Sequence, residues 1–215
     1  MNVHVSRPTA SELRLEFKTD AADALIPVPN VWFRYERASQ VAPLRICLLA
    51  YLLARPFIGN SFRFSKLPIP AHLASRIQKD FEADEFFIGP VTNIPSQILP
   101  DFCYEAIATD AQDGSDAASS GENDLICTRN ELGYCLTAAR NDESPLLRIS
   151  TNVDLLTGFT EHPALLSLIS VYLCAYDALG VRCLRVRPQP ESGEWLDRTR
   201  LLLAEVGGAL AEPSG

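Results

Sequence analysis

Residues 31–55, VWFRYERASQVAPLRICLLAYLLAR, contain the two patterns that decide the fold class. In the first six residues, apolar side chains occupy every second position from Val31, which is the period of a half-buried strand. From Pro43 to Arg55 the side chains are apolar around almost the whole helix, and proline suits the first turn of a helix. The segment therefore predicts an amphipathic strand followed by a buried helix.

The same two patterns recur along the chain. Residues 12–18, ELRLEFK, alternate like a strand, and residues 163–179 form a second apolar helix. Amphipathic helices are predicted at 71–81 and 194–206, and further strands at 62–66, 85–91, 102–109, 125–129, 134–139, 146–151 and 181–186. We expect an α+β fold with a mixed, largely antiparallel sheet, in which the two apolar helices are buried and the two amphipathic helices are more exposed. At 215 residues, one domain is expected.

An offset of about 120 residues relates two parts of the chain. Three prolines match at this offset: Pro43 with Pro163, Pro68 with Pro188, and Pro70 with Pro190. This pattern predicts two duplicated strand-strand-helix-strand-helix halves, 12–81 and 132–206. Coincidence is the alternative, because few other residues are identical.

Residues 110–124, DAQDGSDAASSGEND, combine five acids with few apolar side chains. Such a segment has little to bury against its ordering entropy, so we expect a flexible acidic loop. Its acids lack the ligand spacing of an EF-hand.

The first residues, MNVHVSRPTASELRLEF, lack the basic and apolar regions of a signal peptide, so we expect a cytoplasmic protein and place His4 in a mobile terminus. Residues 41–54 are apolar but too short to span a bilayer and contain Arg45. Residues 163–181 are interrupted by Asp177 and Gly180. No membrane association is therefore expected.

The six cysteines are scattered, without a C-x-x-C pair or a histidine at ligand spacing. We expect no metal site, and no cofactor motif is present. If 130–133 forms a turn, Cys127 and Cys135 become cross-strand neighbours and could form a redox pair, although buried thiols are the alternative.

Charge is segregated along the chain, whose net charge is −8. Residues 34–79 contain eight basic side chains and one acid, whereas residues 80–143 contain fourteen acids and two arginines. These segments are either separate surfaces for different partners or two regions that attract each other within the fold.

No nucleotide-binding, protease, hydrolase or kinase motif occurs in the sequence. This absence favours a non-enzymatic binding protein, such as an adaptor, an inhibitor or an accessory subunit of a larger complex. In that hypothesis the acidic segment 80–143 contacts a basic protein partner.

The alternative uses strands that interleave aromatic and basic side chains. An anionic ligand, a nucleotide or a nucleic acid could bind there if the strands are adjacent, because rings stack on bases and guanidinium groups pair with phosphates. The acidic net charge opposes the nucleic-acid variant. The candidate binding residues are Trp32, Arg34, Arg63, Arg182 and Arg185.

Overall fold

The structure is a computed structural model that describes residues 1–82, 85–93, 104–108, 124–131, 133–138, 146–186 and 193–211. Except for Asp124, which begins a strand, the predicted acidic loop lies outside these residues. The helices are α1 (Pro43–Ala54), α2 (Ala71–Phe81), α3 (Val153–Thr157), α4 (Pro163–Leu179) and α5 (Gly193–Ala204). The strands are β1 (Asn2–Ser6), β2 (Glu12–Lys18), β3 (Asn30–Tyr35), β4 (Ser61–Phe64), β5 (Ile69–Pro70), β6 (Phe87–Gly89), β7 (Val91–Thr92), β8 (Tyr104–Ala108), β9 (Asp124–Asn130), β10 (Gly133–Ala138), β11 (Leu147–Thr151), β12 (Val181–Arg185) and β13 (Ala209–Ala211).

Eleven of the described strands form one sheet in the order β13-β12-β8-β9-β10-β11-β3-β2-β1-β4-β6. The six strands from β9 to β1 in this order are antiparallel to one another. On both flanks the strands pair in parallel. Helix α2 lies in the connection from β4 to β6, and α5 lies in the connection from β12 to β13. These pairings confirm the predicted mixed α+β class with a large antiparallel part.

The two apolar helices form the centre of the helical layer. Every residue of α1 from Arg45 to Ala54 is buried, and so is most of α4. Arg45, near the start of α1, pairs with Asp177, near the end of α4, so the two helices run antiparallel. In contrast, α2 and α5 each bury only part of their surface. The predicted difference in burial between the two kinds of helix is confirmed.

The N-terminal segment is not mobile, and that expectation is wrong. Strand β1 lies inside the sheet, antiparallel to β2 and parallel to β4. Val3 is fully buried, and the expected mobile residue His4 pairs with Glu16 in the β-ladder. The alternation in NVHVS is too short to distinguish a strand from a loop, so only its pairing with two neighbours makes it a central strand.

The main elements follow the same order in the two predicted halves and in the strand just beyond each half, although β5 has no counterpart among the described residues of the second half. In the first, the antiparallel strands β2 and β3 are followed by α1, β4, α2 and β6, with β4 and β6 parallel. In the second, β10 and β11 are followed, after the short α3, by α4, β12, α5 and β13, with β12 and β13 parallel. The halves meet where β3 pairs with β11. Common order does not establish common origin, so the duplication stays a prediction, which superposition of 12–81 on 132–206 tests.

The predicted turn between β9 and β10 is present, with Asn130 paired to Gly133. Cys127 lies opposite Leu136, the neighbour of Cys135 in β10. Because successive side chains of a strand point to opposite faces, the two cysteines project from opposite sides of the hairpin. This is the wrong arrangement for a disulfide, so the redox-pair hypothesis does not fit the observed register.

None of the helices in the described part of the chain has the length and apolar character that crossing a bilayer requires.

Candidate functional site

One face of the sheet packs against the helices, and the other face is accessible to solvent. In β2, Leu13, Leu15 and Phe17 are buried. The side chains between and after them point the other way: Arg14 is 46% exposed and Lys18 is 66% exposed. This alternation follows directly from the pleat of the strand.

The strand register shows which side chains share the exposed face. Arg14 lies opposite Trp32, and Asn2 lies opposite both Lys18 and Arg63. Arg34 continues the face to Ser150 on β11. On the strands from β6 to β11 in the sheet order, this face carries two acids, Glu12 and Glu16, and five basic residues: Arg14, Lys18, Arg34, Arg63 and Arg148. We call this surface the basic sheet face.

Trp32 and Arg34 stand together near the middle of the basic sheet face. The guanidinium carbon of Arg34 lies 5.5 Å from the centre of the Trp32 ring, within the range of a cation–π contact. The same guanidinium donates to the Glu12 carboxylate at 3.3 Å. Arg34 is nevertheless 61% exposed, so most of its surface is accessible to a binding partner.

The backbone of Trp32 is held by the end of strand β11. Its amide donates to Oδ1 of Asn152 at 2.9 Å, and its carbonyl accepts a bond from the Thr151 hydroxyl at 2.7 Å. The Asn152 amide group also donates to the carbonyl of Asn30. These contacts fix the position of the indole on a rigid strand, as a stacking platform requires.

A second aromatic-basic pair lies at the edge of the sheet. The guanidinium carbon of Arg63 is 4.5 Å from the ring centre of Phe87, which is 55% exposed. Strands β2 and β1 separate Arg63 from β3, a distance of roughly 14 Å across the strands. The register offsets Arg63 from Arg34 by six residues, roughly another 20 Å along the strands.

The last two candidate binding residues lie far from Trp32 and Arg34. Arg182 and Arg185 are on β12, and four strands separate β12 from β3, a distance of roughly 24 Å. The strand register, followed from β3 to β12 through each pair of neighbouring strands, places Arg185 on the same side of the sheet as Arg34. The structure therefore brings Trp32 and Arg34 together, and places Arg63 and Arg185 on the same broad face without gathering the four arginines into one pocket.

Glu12 connects two of the basic side chains. One carboxylate oxygen accepts from Arg14 at 2.5 Å, and the other accepts from Arg34. The hydrogen bond from Arg14, followed by the bond from Arg34, lowers the pKa of Glu12 below its ordinary value, against the opposing effect of desolvation. Glu12 thus stays ionised and orders the two arginines without cancelling the positive charge of the face.

Several described charges of the two segregated segments pair within the molecule, and one of these pairs, Arg55 with Asp80, joins the two segments. Arg45 is 2% exposed and pairs with Asp177, while Arg55 donates to Asp80 at 3.1 Å. Glu82, from the acidic segment, pairs with Arg198. Part of the charge segregation is therefore used to stabilise the fold.

Sequence reasoning missed four members of the basic sheet face. Arg14 and Lys18 were detectable, because alternation in ELRLEFK places both opposite the buried leucines. Arg148 and Phe87 had no comparable signal, since strand order alone decides that β11 and β6 continue the same face.

Comparisons with known proteins add no relative to these observations. No family model, no curated protein and no solved structure matches this chain.

Proposed function

We propose that the protein is a non-enzymatic binding protein and that its basic sheet face holds a single-stranded nucleic acid. The observation that supports this proposal is the Trp32–Arg34 pair, a partly exposed ring beside an exposed guanidinium on a rigid strand. Single-stranded nucleic acids are bound by this combination, because every base has a ring face and every phosphate a negative charge.

The layout of the face suits an extended polyanion. Trp32 and Phe87 mark two stacking positions that are separated by roughly 19 Å across the strands and, by the register, roughly 20 Å along them. Between them lie Arg14, Lys18 and Arg63, which can pair with phosphates. A backbone crossing the strands would meet a basic residue on most of them.

The net charge of −8 limits the affinity of this interaction. Because binding depends on a local basic surface within an acidic protein, we expect modest affinity with a strong dependence on salt. Such behaviour suits an accessory subunit or adaptor in the cytoplasm, where a second component would add affinity.

A basic protein partner on the acidic segment 80–143 is the other candidate. Among the described acids of that segment, Asp80 and Glu82 already pair with Arg55 and Arg198 of the same chain. These contacts reduce the negative charge offered to a partner, so the described residues favour the basic sheet face.

Fluorescence anisotropy with labelled oligouridine and oligothymidine of about 12 nucleotides tests the proposal. We expect saturable binding at about 50 mM salt that weakens steeply towards about 200 mM. The Arg34→Ala/Arg63→Ala variant should lose about tenfold in affinity, a loss that corresponds to the removal of at least one charge-assisted contact. The matched control, Arg76→Ala/Lys79→Ala, removes the same charge from α2 and should change affinity less than about threefold.

Three outcomes would contradict the proposal. Absence of binding at low salt removes the nucleic-acid hypothesis. Equal losses in both double variants mean that total charge, rather than this face, attracts the oligonucleotide. Tighter binding of polyglutamate than of either oligonucleotide, lost in the Arg34→Ala/Arg63→Ala variant, assigns the face to an acidic protein instead.

A further inference from the structure

A cleft opens on the helical side of the molecule, away from the basic sheet face. It lies where the C-terminal ends of α1 and α2 meet the N-terminal ends of α4 and α5, and its volume is about 700 Å³. Small-molecule sites have volumes of roughly 300–1,000 Å³. We call it the end cleft, and its principal lining residues are Arg55, Asp80, Phe159, Glu161, His162 and Trp195.

A buried carboxylate lines the end cleft. The side chain of Asp80 is only 3% exposed, and its Oδ2 accepts from the Tyr51 hydroxyl at 2.6 Å and from Arg55 Nε at 3.1 Å. Its Oδ1 is buried and has no hydrogen-bond partner among the described residues. Because a carboxylate oxygen accepts two or more hydrogen bonds, Asp80 retains acceptor capacity towards a bound donor.

The donor from Tyr51 is a stable part of this arrangement. Burial, followed by the negative charge of Asp80, raises the pKa of the Tyr51 phenol above its ordinary value. Tyr51 therefore keeps its proton and continues to occupy Oδ2, which leaves Oδ1 as the atom that a ligand would use.

Aromatic side chains form another part of the wall. The ring centres of His162 and Trp195 are 5.1 Å apart, and Phe159 projects with 63% of its surface exposed. An exposed phenylalanine and a partly buried indole that line the same cleft provide apolar surface on which a planar group can stack.

The charges that line the end cleft favour a positive ligand. Two arginines and three carboxylates line it, and both arginines are engaged: Arg55 with Asp80, and Arg198 with Glu82 and Glu194. Glu161 forms no ion pair with any described residue. Three carboxylates against two arginines leave the lining with one net negative charge, and the aromatic rings present their faces, so the lining favours a cation.

From these observations we propose that the end cleft binds a planar organic cation of the amidinium or guanidinium class. The cation donates N–H groups to Asp80 Oδ1 and is attracted by Glu161, while its planar part stacks against the Trp195 and Phe159 wall. This site is independent of the basic sheet face, whose ligand has the opposite charge.

Benzamidine, an amidinium on an aromatic ring, is the probe for this site, and Trp195 is its reporter. The chain has two tryptophans, so the Trp32→Phe variant leaves only Trp195 to fluoresce. We expect benzamidine to change this emission saturably, with benzamide, its uncharged analogue, at least tenfold weaker. Equal responses to the two compounds, or no saturation, would overturn the proposal. Failure here leaves oligonucleotide binding unaffected, because that assay reports the other side of the sheet.

Variants of the lining assign the contact. In the Trp32→Phe background, Asp80→Asn should weaken benzamidine binding at least tenfold, and Glu161→Gln severalfold. Tyr51→Phe removes the donor to Oδ2 without touching Oδ1 and is the matched control, which should retain binding within about threefold. If Asp80→Asn does not fold, benzamidine affinity is measured instead in Glu161→Gln and in Trp195→Leu. Calorimetry measures it in Trp195→Leu, which lacks the fluorescent reporter. Unchanged affinity in folded Asp80→Asn, or in both replacements, would overturn the proposal.

Discussion

The guanidinium group of Arg34 lies beside the indole of Trp32, 5.5 Å from its ring centre, and 61% of the Arg34 side chain is exposed to solvent. The two residues are separated by one position in β3 and therefore point to the same side of the strand. Their neighbour Glu12 holds the guanidinium from the next strand. A stacking surface and a phosphate-pairing group are thus pre-arranged side by side.

The Trp32→Ala variant should weaken oligouridine binding by about 1–3 kcal/mol, because it removes a base-stacking surface. Phe159→Ala removes an aromatic side chain that is more exposed than Trp32, from the helical side of the molecule, and should leave the affinity unchanged. Anisotropy titrations at constant salt measure both. Similar losses in the two variants would contradict a specific stacking role for Trp32.

Glu12 should make stability depend on pH. Its folded pKa lies below the ordinary value of 4.5, so its contribution is present above that value and is lost as pH falls through the folded pKa. Wild-type protein should therefore be more stable than Glu12→Gln at neutral pH, and the difference should shrink below about pH 4.5. Urea unfolding across pH measures it, with the more exposed Glu16→Gln as control. A difference that stays constant across pH would exclude the ion pairs as its cause.

Gly133 should not tolerate a side chain. Its φ is +148°, and a Cβ built there would lie 2.1 Å from the carbonyl oxygen of Ile149 on the neighbouring strand. Gly133→Ala should therefore reduce the free energy of unfolding by about 2 kcal/mol or more. At Gly193 a Cβ would meet no atom within 4 Å, so Gly193→Ala should be neutral or slightly stabilising. Denaturant melts of both variants provide the comparison, and equal stabilities would show that β10 and β11 do not approach this closely.

Asp177 should contribute strongly to stability. Its carboxylate pairs with Arg45, which is 2% exposed, and accepts from the Ala42 amide at 2.6 Å. Asp177→Ala leaves a buried guanidinium without its counter-charge and should cost about 3–5 kcal/mol. The more exposed Asp197→Ala, which breaks a surface pair with Arg200, should cost less than about 1 kcal/mol.

A double replacement separates loss of the charge partner from loss of packing. Arg45→Met combined with Asp177→Leu should recover a large part of the stability lost in Asp177→Ala, because no unpaired charge then remains buried. If the double variant is as unstable as Asp177→Ala in thermal and urea unfolding, the buried charge is not the main cause of the loss.

Local patterns in the sequence determined the secondary structure and its burial. The apolar surfaces of 43–54 and 163–179 require burial on all sides, and the alternation in ELRLEFK and VWFRYE assigns one face of each strand to the core. These signals are readable because helix and strand periods are properties of neighbouring residues. They also identified Trp32 and Arg34 as outward-facing.

The tertiary structure alone decided which distant residues share a surface. Strand β1 became central through pairing with β2 and β4. The sheet order placed Arg63 three strand spacings from Trp32 and placed β12 five spacings from it. Asp80 appeared as one acid in an acidic segment, yet packing against Tyr51 and Arg55 made it a buried carboxylate in a cleft. Strand order and helix contacts depend on pairings between residues that are far apart in the chain. The free energy that selects those pairings comes from burying the apolar surface of the whole core, so no local segment determines it.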